Sequence, residues 1–329
     1  GIQRQLKPKR VEELRQYVNL RDASFPTGII IAVDEACADY DEKKMQMTLS
    51  NHMDATSAED RIFFRDIARV IDGQHRIAGL EGFSGETFDL PVIILVGMDL
   101  ADQGHVFATV NLAQTKVSPS LAYDLYDLAK SRSPQKTCHN IVVALDQHEK
   151  SPFYKRVKRL GVRTQDRLNE TLTQATFVRA LIQYISDDPM LDRDQLKRGL
   201  KLPLASKEQL DRLIFRNMFI QEKDLGVMDV VWNFFAAVRD RWPDSWSNFG
   251  RGNVLVRTSG FRSFMRFLRP AYLHLVEPGK IPSIEDFSVL MRKVTLAETD
   301  LVVERYKPGS SGEAALYNDL VMQTEVDDR

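Results

Sequence analysis

Cysteine is almost missing from this chain of 329 residues, with Cys37 and Cys138 its two examples. Two thiols cannot build a disulfide scaffold or a structural zinc site, so stability must come from an apolar core. The expectation is a pair of free thiols in a reducing cytoplasm. No apolar run approaches membrane length and no signal-peptide pattern opens the chain, so no membrane partner is expected. Charge of one sign is lacking too: 45 Lys and Arg stand against 46 Asp and Glu, a formal net charge of -1. That removes any global basic signal for nucleic acid, although a binding groove need only be positive locally. The sequence carries no Walker lysine loop, dinucleotide glycine fingerprint, HExxH or paired CxxC. The chain opens at Gly1-Ile2-Gln3-Arg4 without a methionine, which leaves room for an upstream piece.

What is present suits a core and two domains. Hydrophobic residues make up 43%, enough for an interior of real size. Pro8 followed by Val11, Leu14 and Val18 predicts a short amphipathic helix from about Lys9. Ile29 to Val33 reads as a buried strand by its β-branched run, Met45 to Leu49 as a second, and Leu90 to Val96 as a third. Ser118 and Pro119 look like the cap and first turn of a helix reaching about Lys130. From about residue 135 the pattern becomes mostly helical, with three-to-four-residue apolar spacing near 138–149, 151–159, 173–186, 206–222, 226–240 and 261–269, and a last helix at about 312–324. The expected division is an α/β domain over 1–132 and a mainly α-helical domain over 133–329.

The densest chemistry lies in Ile71-Asp72-Gly73-Gln74-His75-Arg76-Ile77. Ile62, Phe63, Ile67 and Val70 precede it at helical spacing, leaving Val70-Ile71 as a very short strand. A turn through Asp72-Gly73 would then open a helix near Gln74. First-turn amides and the positive end of a helix suit a phosphate. Gly73 permits a tight turn, and Arg76 has the fork that clamps phosphate oxygens. Gln74 could orient a water, and His75 could serve as a donor or a proton acceptor. Asp72 could cap the helix, steady His75, or accept a metal through water. The same residues would also serve as a structural ion pair, and composition does not separate these uses.

Further candidates lie elsewhere. Asn111 and Gln114, ahead of Lys116 and Ser118, form a junction that could close over phosphates. Arg4 belongs to a basic start with Lys7, Lys9 and Arg10. Lys155, Arg156, Lys158 and Arg159 cluster beside Phe153 and Tyr154, while Arg262, Arg266 and Arg269 recur along one helix. Both groups are candidates for a DNA backbone.

Asp72-Gly73-Gln74-His75-Arg76 resembles the signature of the DGQHR proteins. These include the Dnd-type B protein of bacterial DNA phosphorothioation systems and the B component of 7-deazaguanine DNA-modification systems. Gln3-Arg4 with Leu6, Arg10-Val11 and Tyr17 resembles their N-terminal element, and Phe107, Asn111 and Lys116-Val117-Ser118 a later one. Arg257-Thr258-Ser259-Gly260 resembles, more faintly, a C-terminal family feature. More distantly, the front domain is similar to the ParB and sulfiredoxin superfamily. Gln74 stands where sulfiredoxins place their cysteine, which argues against sulfinic-acid reduction. Val110 and Gln114 replace a glutamate and an arginine of the ParB pattern.

The resemblance implies a ParB/sulfiredoxin-like α/β N-terminal domain that binds ATP, with Mg2+ as its candidate companion, through Gly73, Gln74, Arg76, Asn111, Gln114 and Arg4. Asp72 and His75 would position a water for hydrolysis. The implied partners are double-stranded DNA, other proteins of a DNA-modification system, and a second copy of the chain. A DNA-binding transcriptional regulator and a non-catalytic scaffold remain open as alternatives.

Overall fold

The computed structural model describes residues 6–53, 61–99, 102–103, 106, 110, 118–126, 129, 131–165, 167 and 169–326. The chain forms two compact units, Gly1–Lys116 and Val117–Arg329. The division falls before the 132/133 boundary expected above because helix α3 (Pro119–Leu125) belongs to the second unit. There the carbonyl of Ser120 accepts from the Gln174 side chain, and its hydroxyl from the amide of Ala175.

In the first unit, β1 (Ile29–Val33) is the centre of a three-stranded sheet, with β4 (Ala68–Asp72) on one side and β5 (Val92–Val96) on the other. Strand β5 runs parallel to β1 and β4 antiparallel. A hairpin of β2 (Ala38–Asp41) and β3 (Gln46–Leu49) forms a separate two-stranded sheet, with Ala38 and Leu49 packed on the cluster that holds Val33. Helix α1 (Pro8–Tyr17) packs on α2 (Gln74–Leu80). The two backbones come close because Gly79 has no side chain: a Cβ there would lie 2.6 Å from Cβ of Leu14. Tyr17, Phe25, Phe83 and Phe88 close the small core beneath them.

Two expectations change here. Residues 62–70 are not a helix; a 3-10 turn over Phe64–Asp66 leads directly into β4. Pairing with β1 satisfies the backbone of Ala68 and Arg69, which outweighs an apolar spacing that happens to suit a helix. The register also jumps: Ile30 faces Asp72 while Ile31 faces Val70. Ile71 is therefore the extra residue of a bulge, a device that re-aims the strand's last side chain.

The second unit is built around α4 (Pro134–Gln147), α5 (Gln174–Ile182), α9 (Asp224–Arg241) and α11 (Thr258–Leu275). Between α5 and α9 lie α6 (Pro189–Lys197), α7 (Lys207–Leu210) and α8 (Arg216–Ile220). Beyond α9 come α10 (Pro243–Ser247), α12 (Ile284–Met291) and α13 (Ser310–Thr324). Phe153, Phe177, Phe235 and Phe261 meet mainly edge-on in its core, with ring centroids 4.7–6.0 Å apart. Such ring pairs add to simple area burial.

The segment 151–159 is not helical either. Its backbone turns around the buried Asp146 carboxylate, which accepts from the Val157 amide at 3.0 Å. Val157–Lys158 (β6) then pairs in parallel with Leu172–Thr173 (β7). The expected helix over 206–222 is divided into α7 and α8, and α6 and α12 were not anticipated.

Candidate functional site

The Asp72–Arg76 turn sits where β4 hands over to α2. Gly73 adopts φ +103°, a backbone conformation open to glycine and costly for other residues. It also has no room for a side chain, since a Cβ would stand 3.0 Å from Ile29 and 3.2 Å from the Arg76 guanidinium. Helix α2 is therefore capped by a glycine with no side-chain bond. Asp72 does not act as the N-cap.

Its carboxylate instead accepts a 2.7 Å hydrogen bond from Nη2 of Arg76. Nη1 of Arg76 donates to both oxygens of Thr27, the backbone carbonyl and the hydroxyl, the latter at 2.9 Å. Arg76 thus ties the end of β4 to the loop entering β1. The pair is largely enclosed, with 15% of the Arg76 and 24% of the Asp72 side chain exposed. Of the readings open from sequence, the ion pair is the one this geometry displays.

His75 faces the other way. Its Nε2 accepts from the backbone amide of Lys7 at 3.0 Å. Lys7 is the N-cap position of α1 and makes no side-chain cap of its own, so the imidazole supplies the missing acceptor for that helix start. Gln74 is half-buried beside it. Arg4, Asn111, Gln114 and Lys116 lie outside the described residues.

Thr27 is the contributor that sequence reasoning missed. Nothing in Phe25-Pro26-Thr27-Gly28 marks it as a partner for a residue 49 positions away. Among the described residues, no group of three or more His, Cys, Asp or Glu is placed to hold a metal.

The basic candidates fall into two kinds. Arg156 is inserted between Trp246 and Phe249, 4.9 and 4.8 Å from their ring centroids, and donates to the Trp246 carbonyl. Burial lowers its pKa to about 10, and Arg239 nearby adds to the shift. Arg159 pairs with Asp124 at 2.9 Å. These two guanidiniums are committed to the fold, whereas Lys155 is exposed and Lys158 half-buried. Arg262 and Arg266 are exposed on α11. Glu313 lies 3.3 Å from the first, and the Tyr317 ring 3.7 Å beneath the second.

Comparison with known proteins addresses the front of the chain. Residues 1–160 match the family model DndB, described as DNA-sulfur modification-associated. This stretch is DndB-like. It holds the whole first unit, the Asp72–Arg76 turn and the Lys155–Arg159 cluster; Arg262 and Arg266 lie beyond it. No curated protein and no solved structure matches the chain. Among the described residues, no helix is long and apolar enough to cross a membrane.

Proposed function

We propose that this protein is an accessory component of a bacterial DNA phosphorothioate modification system, and that its first unit binds and hydrolyses ATP at the Asp72–Arg76 turn. The observation that carries this reading is the DndB-like match over residues 1–160, within which that turn is the densest set of phosphate-competent groups. The DNA-sulfur description favours phosphorothioation over 7-deazaguanine insertion. We read the first unit as ParB/sulfiredoxin-like on the strength of the same turn.

Arg76 would hold phosphate oxygens, because a guanidinium presents paired donors to a tetrahedral oxyanion. Phosphoryl transfer needs charge stabilisation and positioning rather than covalent help. Asp72 and His75 would orient the attacking water, His75 on exchanging its Lys7 bond. DNA would lie along exposed cations of the second unit, Arg262 and Arg266 foremost, with other proteins of the modification system as further partners.

Phosphate release measured with and without duplex DNA tests the reading. Turnover should fall at least about a hundredfold in Arg76→Ala, the range for loss of one charge-stabilising donor. Release that survives unchanged in both Arg76→Ala and His75→Ala removes the site assignment.

A further inference from the structure

The donor count on Arg76 defines the edge of the guanidinium that a phosphate ligand would share with the resting turn. A guanidinium carries two protons on each terminal nitrogen and one on Nε. Both Nη1 protons have acceptors in Thr27, and one Nη2 proton is taken by Asp72. That closes the Nη1 side; an oxyanion would have to be met at the Nη2–Nε edge, where one Nη2 proton and the Nε proton remain beside Asp72.

The two anchors differ in kind. Thr27 grips Nη1 through two oxygens of one residue. Asp72 offers a single oxygen, Oδ2, and its carboxylate has no other hydrogen-bond partner among the described residues. Asp146 in the second unit shows what a permanently closed aspartate looks like. That side chain is wholly buried, and its oxygens accept from the Val157 amide and from Arg167 at 3.0 and 2.7 Å. Asp72, by contrast, remains about a quarter exposed. Gly73 adds a second feature. Its missing Cβ would sit 3.2 Å from Nη2, so no side chain from Gly73 itself covers the nitrogen that Asp72 occupies.

We propose that Asp72 is an internal stand-in for phosphate: Thr27 holds Arg76 permanently by Nη1, and an incoming oxyanion displaces the Asp72 carboxylate from Nη2. The inference rests on the nucleotide reading above and deepens it, since the displaced carboxylate becomes available to orient a water beside the phosphate it made way for. Thr27 is then a positioning residue. It acts through Arg76, keeping the guanidinium aimed while its other edge changes partner. The ligand class is a terminal phosphate, and the nucleoside triphosphate is the source favoured here over a DNA backbone phosphate.

Calorimetric titration of the full chain with inorganic tripolyphosphate, ATP and a short DNA duplex tests this. Removing the competing charge in Asp72→Asn should tighten tripolyphosphate and ATP binding by about tenfold, while catalysis falls. Thr27→Val should weaken both ligands by roughly threefold to tenfold, and Thr27→Ser should restore them. Wild-type binding that is unchanged or weaker in Asp72→Asn makes the carboxylate a fixed strut and overturns the proposal alone. Absence of tripolyphosphate and ATP binding in wild type and Asp72→Asn alike overturns the nucleotide reading with it, and a gain seen for the duplex alone assigns the exchange to DNA phosphate and overturns the choice of nucleotide. Should Asp72→Asn fail to fold, the side-chain nitrogen resonances of Arg76 in the unmodified protein decide. They must move on adding tripolyphosphate if the guanidinium changes partner, and stay fixed if it does not.

Discussion

Asp72 and Arg76 stand four residues apart and meet at 2.7 Å across Gly73. The turn between β4 and α2 is closed by its own side chains, and Thr27 joins that closure to the sheet. Four consequences can be measured.

Gly73 is held by both its backbone and its surroundings. Alanine there would adopt φ near +103° and press on Ile29 at 3.0 Å. A non-glycine residue in such a region costs on the order of 1–3 kcal/mol. Chemical denaturation of Gly73→Ala should show a loss in that range; an unchanged midpoint would mean that the turn relaxes freely.

Gly79 sets two effects against each other. Alanine is the better helix former by about 1 kcal/mol, yet its Cβ would lie 2.6 Å from Cβ of Leu14. Overpacking of that kind costs about 1–3 kcal/mol, so the clash should win. Gly79→Ala is expected to melt earlier than wild type, and a higher melting temperature would show that α1 moves aside without cost.

The thiols should be silent in the native protein. Cys37 and Cys138 are both fully buried. Burial pushes the Cys138 thiol well above its ordinary value of 9.0, and Asp224 adds to this; Cys37 is raised by burial and then by Asp34. A thiol reagent at pH 8 should label neither residue until denaturant is added. The sign of the linkage follows from proton counts. Above pH 9.0 the unfolded chain gives up thiol protons that the folded chain keeps, so this stabilisation is complete below 9.0 and is lost as pH rises through the higher folded values. Rapid native labelling would contradict the burial.

The exposed and the inserted arginines should separate in a salt titration of DNA binding. Arg266→Ala is expected to weaken binding and to reduce the slope of log affinity against log salt by about 1, as for one lost phosphate contact. Arg156→Ala should leave the slope unchanged, because that guanidinium lies between Trp246 and Phe249. Equal slopes for wild type and Arg266→Ala would remove α11 from the DNA surface.

Short-range order was legible from residue pattern. The β-branched run of β1, the apolar core of β5, the Pro8 start of α1, the α2 start at Gln74 and the arginine-bearing helix α11 all follow from local preferences. Of strand β4 only the Val70-Ile71 step was, since the apolar spacing before it also fits a helix and its partner β1 lies 35 residues earlier at the nearest. The split of 206–222 and the non-helical 151–159 go with partners outside the segment: the Phe215 amide donates to the Tyr184 carbonyl, and Val157–Lys158 pairs with Leu172–Thr173.

The candidate site divides in the same way. By itself the sequence determined which groups are available at 72–76 and that a glycine stands among them, because spacing along the chain fixes neighbours in a turn. Only the tertiary structure decided which of those groups are engaged: His75 with the start of α1, Arg76 with Thr27 and Asp72. A guanidinium or an imidazole takes whichever acceptor or donor the fold brings within about 3 Å, and those partners come from segments that composition and periodicity leave unlinked.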